Sequence, residues 1–233
     1  MVAGGAANKS DDKNGGNIKV NSDATLILRQ SVVERGFADG DGGGIWVGSG
    51  GKLEIYGSEL TINQAKKNGG GVALASAAKL KISDVVNNGQ ITKSMFFSNS
   101  TLEGDGGGVW LKGTANGSYL IDRSTFEGNH AHAFGGGLHV DRAEVFAPTV
   151  EILFAEFKAN SARLSGGGIY SSVNMKFGAG VKVLDSVLFL KTGIGLDVGG
   201  GKVTGRDGVE VKGDTYIPRP NDDPSEEPSS LFD

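Results

Sequence analysis

The chain has 233 residues, of which 40 are glycine, 5 are proline and none is cysteine, and its formal net charge is −4. That balance offers no basic surface for nucleic acid, and the missing thiols exclude a disulfide framework and any thiolate zinc site. No apolar run reaches the roughly 18 residues that a membrane-spanning helix needs.

Residues 1–14 are polar and glycine-rich, with Asp11-Asp12-Lys13-Asn14, and predict a flexible lead-in. The opening residues carry neither a charged segment nor an apolar core, so no signal peptide is expected there. From Gly15 onward one unit recurs. Its clearest copy runs from Ser124 to Val140. There Phe126 is followed by Asn129, Ala131, the triplet Gly135-Gly136-Gly137 and the alternating run Leu138-His139-Val140.

Triplets begin at Gly42, Gly69, Gly106, Gly135 and Gly166, giving repeats of 27, 37, 29 and 31 residues. One period upstream of Gly42 lies Gly15-Gly16-Asn17-Ile18-Lys19-Val20, which fits. Each unit reads as three short strands: one after the glycines (Ile45-Trp46-Val47), one around Leu53 and Ile55, and one around Leu60. Equivalent inward pairs are Leu26/Leu28, Tyr119/Ile121, Val150/Ile152 and Val181/Val183. A single unit of this kind cannot bury its apolar set alone and must stack on its neighbours.

The fold predicted is therefore all-β, a right-handed parallel β-helix of about seven coils over residues 15–217. In the long third coil Asp84-Val85-Val86-Asn87-Asn88-Gly89 is expected as a surface loop. The repeat decays after about residue 194, with Lys191 where an asparagine should stand. Residues 218–233 hold four of the five prolines and several carboxylates, and predict a disordered acidic tail or linker.

Asn63, Asn99, Asn129 and Asn160 share one corner and predict an asparagine ladder, with left-handed backbone at the bend and Gly36 and Lys191 marking its ends. The glycine triplets serve turns and close approach, not phosphate: no helix follows them and no P-loop lysine completes them. Asp39-Gly40-Asp41 and Glu103-Gly104-Asp105 read as turn aspartates. No metal site and no cofactor is predicted.

One outward slot holds Lys19, Trp46, Ala73, Trp110, His139, Tyr170 and Asp197 in successive coils. Both tryptophans of the chain fall in it. Flat rings one coil apart on a rigid face suit stacking on sugar rings or gripping a partner protein. The competing reading is that these rings stack on one another or are covered by the tail or a neighbouring domain. Trp46, Trp110, His139 and Tyr170 are thus the candidate binding residues. For catalysis the candidate cluster is His139, Asp141 and Arg142 with Asp122 one coil earlier, suited to polysaccharide lyase or glycosidase chemistry.

At Phe126-Glu127-Gly128-Asn129, Phe157-Lys158-Ala159-Asn160 and Phe96-Phe97-Ser98-Asn99, each followed by Gly-Gly-Gly and an aliphatic residue, the chain resembles the repeats of chlamydial polymorphic outer-membrane proteins. It departs from them in carrying Gly-Gly-Gly where they carry Gly-Gly-Ala. The resemblance covers residues 15 to about 194 and implies a β-helical autotransporter passenger used in adhesion. The expectation is a non-enzymatic, adhesin-like surface at the cell exterior that binds a glycan or a host protein. The alternative is a polysaccharide-processing enzyme. The chain is expected to be a piece of a longer parent or to associate end-on with another copy.

Overall fold

A computed structural model describes residues 1–7, 12–112, 117–141, 150–173 and 175–184, and the backbone of short strands at 187–188, 196–197, 203–204, 210–212 and 215–216. The backbone winds as a parallel β-solenoid. Each turn contributes one strand to each of four sheets, designated I to IV in the order the chain visits them. In the second turn these strands are Ile45–Val47, Lys52–Tyr56, Glu59–Thr61 and Gln64–Ala65. Sheets I and II have seven strands and sheets III and IV have eight. Phe126 pairs with Phe157, and Trp110 with His139, so residues about thirty apart stand directly above one another. No helix occurs among the described residues, and so none is long and apolar enough to cross a membrane.

Four strands per turn is one more than the alternation suggested. Sheet IV is made of two-residue strands such as Ser100–Thr101 and His130–Ala131, too short to show a period. Its inward side chains are small: Ala38, Ala65, Thr101, Ala131 and Ala162. They have to be, because the glycine corner follows at once. In each triplet the first glycine turns the chain, as at Gly106 with φ +65°. The second lies against the next coil: a Cβ on Gly107 would stand 2.5 Å from the Gly136 carbonyl oxygen.

The interior is a single apolar column. Ile45, Val47, Leu53, Ile55 and Leu60 are fully buried and their equivalents stack along the axis. Phe96, Phe126 and Phe157 form a continuous ring stack, with centroids 4.5 Å apart at both steps and planes within 5° and 10° of parallel. Such contacts contribute about 0.5–1.5 kcal/mol each beyond the area they bury. That stack fixes the register of sheet III, because a slip of one residue would turn the rings outward.

The asparagine ladder is present, with all four side chains fully buried. Its backbone differs from expectation. The left-handed residue is the one before each asparagine (Ile62, Ser98, Gly128 and Ala159) and, in the first repeat, the one before Gly36 (Arg35); all have φ between +50° and +63°. The ladder does not stop at Gly36 either. Asn17, in the third-glycine slot of the first repeat, sends its amide to Asn63 Oδ1 (3.3 Å) and to the Glu34 carbonyl (2.8 Å). A Cβ on Gly36 would run into the Gly43 carbonyl oxygen first and then the Asn17 Nδ2, so both occupy the space a side chain there would need. Lys191 lies outside the described residues.

Three further expectations change. Val2–Ala3 and Ala6–Ala7, in the lead-in, pair with Val33–Glu34 and Phe37–Ala38 as edge strands of sheets III and IV. The insertion is a β-hairpin, Val85–Asn87 with Gln90–Thr92, turning at Asn88 (φ +49°) and Gly89 (φ +80°). Asn-Gly is the residue pair that such a two-residue turn favours, since both positions need positive φ. Finally, Met175 and Phe177 form the sixth inward pair of sheet II, opposite Val150 and Ile152. Val183 instead takes the place of phenylalanine above Phe157. The acidic segment 218–233 lies outside the described residues.

Candidate functional site

The outward slot of sheet I is assembled by register as the repeat demands: Lys19, Trp46, Ala73, Trp110, His139, Tyr170 and Asp197 pair in that order. Exposure separates them. Trp110 and His139 are only 8% and 4% exposed and Ala73 is fully buried, whereas Trp46 and Tyr170 are partly open. The Lys19 ammonium sits 5.3 Å from the centroid of the Trp46 ring and is itself held by Asp12 at 2.8 Å.

Over His139 and Tyr170 the cover includes Phe134, from the turn that precedes the Gly135 triplet. Phe134 lies 4.6 Å from the Tyr170 ring and 6.2 Å, edge-on, from that of His139, while His139 and Tyr170 are 5.1 Å apart. The residue before each triplet is otherwise polar and forms a second ladder. Asp41 N–H donates to Asn14 Oδ1, Asn68 donates from both N and Nδ2 to Asp41 Oδ1, Asp105 N–H donates to Asn68 Oδ1, and Phe134 N–H donates to Asp105 Oδ1. Alternating amide with carboxylate keeps like charges from facing each other across a single coil spacing. The column Asn14, Asp41, Asn68, Asp105, Phe134 was visible in the sequence as the residue before each triplet. It was missed because turn aspartates are common.

His139 is the electrostatic oddity of the site. Its Nδ1 is buried without a hydrogen-bond partner, 3.8 Å from Asp105 Oδ2. Burial pushes the imidazole below its ordinary pKa, and Asp105, Asp141 and the Phe134 backbone pull weakly the other way. At neutral pH the ring is uncharged and roofed by Phe134 and Tyr170. It is packed against the rings of Phe134 and Tyr170 and almost fully buried.

The described candidate catalytic residues are divided between two sheets, His139 and Asp141 on sheet I and Asp122 on sheet II. Asp141 ends the same strand as His139 and pairs in register with Lys112. Asp122 lies on sheet II, with Oδ2 2.7 Å from Arg123 Nη1 and Oδ1 buried without a partner. Arg142 lies outside the described residues. The other histidines belong to sheet IV and its exit: His130 Nδ1 meets Ser161 Oγ at 2.8 Å, and Arg163 approaches His132 Nε2 at 3.4 Å. Among the described residues no three His, Asp or Glu side chains come together to hold a metal ion.

Compared with protein-family models, with curated proteins and with solved structures, the chain matches none of them.

Proposed function

We propose that this chain is a non-enzymatic β-helical display scaffold of adhesin type, working at the cell exterior, whose sheet I row contacts a glycan or a partner protein. The observation that carries the reading is the partly open Trp46, held on a rigid parallel sheet beneath the Lys19 ammonium. An aromatic face next to a cation is suited to stacking on a sugar while the ammonium meets a hydroxyl or carboxylate. Tyr170 offers a second partly open ring farther along the row, on a bed formed by Phe134 and His139. Trp110 and His139 then act as supports for the contact residues. The resemblance of the repeats to those of polymorphic outer-membrane passengers favours the same reading.

The test is a glycan array and a host-protein array probed with wild-type chain, Trp46→Ala and Trp110→Ala. The proposal expects binding that Trp46→Ala abolishes, and no release of reducing or unsaturated sugar ends. Turnover of any polysaccharide, or binding indifferent to Trp46→Ala, refutes it.

A further inference from the structure

Ile62 stands at the corner between sheets III and IV with φ +56°. A β-branched residue in the left-handed region is a steric outlier, and such strain gathers where a site has work beyond folding. The same corner in other coils is occupied by Ser98, Gly128 and Ala159, which tolerate the bend better. Core packing does not explain Ile62, because half of its surface (50%) is exposed.

Its N–H donates to the carbonyl of Phe97 (3.0 Å), and Phe97 projects outward from sheet III, 38% exposed. Met95 shares that outward face two residues earlier. Carboxylates bracket these apolar groups: Glu59 pairs in register with Met95 from one side, and Glu127 with Phe97 from the other. Neither carboxylate forms an ion pair with another described residue. Arg35 is engaged with Glu34, and Lys158 pairs in register with Glu127 from the following coil without an ion pair between them.

We infer that this corner of sheet III is a docking surface for a protein segment that presents an apolar side chain flanked by lysine or arginine. Covering Ile62 and Phe97 removes exposed apolar surface, and the two free carboxylates select cationic flanks. The net charge of −4 favours approach of such a partner from a distance. A second copy docking the same face would bring Glu59 and Glu127 against their own counterparts, which repel. A sugar finds here one partly exposed ring, Phe97, beside a branched aliphatic residue that offers it no flat face. The surface lies on a different sheet from the Trp46 row and does not depend on it.

The experiment selects phage-displayed random dodecapeptides on the immobilised full-length chain, then measures their affinity for wild type, I62N, F97S and the E59K/E127K double variant. The expected peptides pair an apolar residue with lysine or arginine and bind each variant about tenfold or more weakly. I62N should melt no lower than wild type, since asparagine accepts the left-handed corner. F97S and E59K/E127K change only outward side chains and keep the test valid if I62N misfolds. Peptides without basic residues, or peptides insensitive to all three variants, overturn the proposal. So does a concentration-dependent dimer in sedimentation that F97S abolishes, which would assign the face to a second copy.

Discussion

Asn99 and Asn129, thirty residues apart, share a bond that holds two coils together: the Asn99 side-chain amide donates to Asn129 Oδ1 at 3.0 Å, and so does the Asn99 backbone N–H. Asn129 in turn donates from Nδ2 to the Phe96 carbonyl and to Asn160 Oδ1, both at 2.9 Å. Every polar atom of the buried side chain is used.

Asn129→Ala therefore takes a partner from the Asn99 N–H and the Phe96 carbonyl, and one of two or more from the side-chain amides of Asn99 and Asn160. The expected loss is about 2–4 kcal/mol, because unsatisfied buried groups cost about 1–3 kcal/mol each and some of them can relax. Asn17→Ala should lose about 1 kcal/mol, since Asn17 is only partly buried and water can replace it. Urea denaturation of the three chains measures both. Equal losses at the two positions would contradict the ladder as the source of the effect.

Ser124 gives the converse case. Its hydroxyl is buried without a partner, and the sheet III position before the next coil's strand is Ala155. Ser124→Ala removes an unsatisfied group and leaves a methyl that the site accommodates. The expected change is between zero and about 1 kcal/mol of added stability, measured as a shift in the urea midpoint.

Glycine is required unequally. Gly107→Ala places a methyl 2.5 Å from the Gly136 oxygen and from the His130 carbonyl carbon, backbone that cannot move without parting the coils. A loss of about 3 kcal/mol or more is expected, or failure to fold, by analogy with overpacking at its most severe. Gly89→Ala, at the hairpin tip with nothing within 4 Å, meets only the strain of φ +80° and should cost about 1 kcal/mol. Thermal melts of the two variants separate close approach from backbone conformation.

The buried histidines set a pH dependence. Burial pushes His139 and His130 below the ordinary imidazole value of 6.5, with His132 adding to the effect on His130. Between that value and the depressed folded values the unfolded chain binds more protons than the folded one. Stability is thus complete above pH 6.5 and declines as pH falls through the window. Glu54, held low chiefly by its hydrogen bond from Lys52, enters only below its ordinary 4.5. Urea midpoints at about pH 7.5 and 5.5 should differ for wild type and differ less for His139→Phe. An equal drop in both would assign the dependence elsewhere.

The one-dimensional order of this molecule was written in its sequence. Glycine triplets, alternating aliphatics and the Phe-x-x-Asn signature specify a stacked coil, because each is a local demand on turn or face that repeats once per circuit. The Asn-Gly of the insertion was equally local, and the hairpin it makes was legible there although a loop was expected. What no local pattern carries is the fit between coils. That Asn17 takes part of the space a side chain on Gly36 would need, that Phe134 closes over His139, and that Trp110 lies buried while Trp46 stays open are decided by side chains from different circuits meeting. A two-residue strand has too few positions to show a period. Left-handed strain at Ile62 and the division between covered and open rings arise only once the backbone has closed on itself and each side chain has met neighbours about thirty residues away.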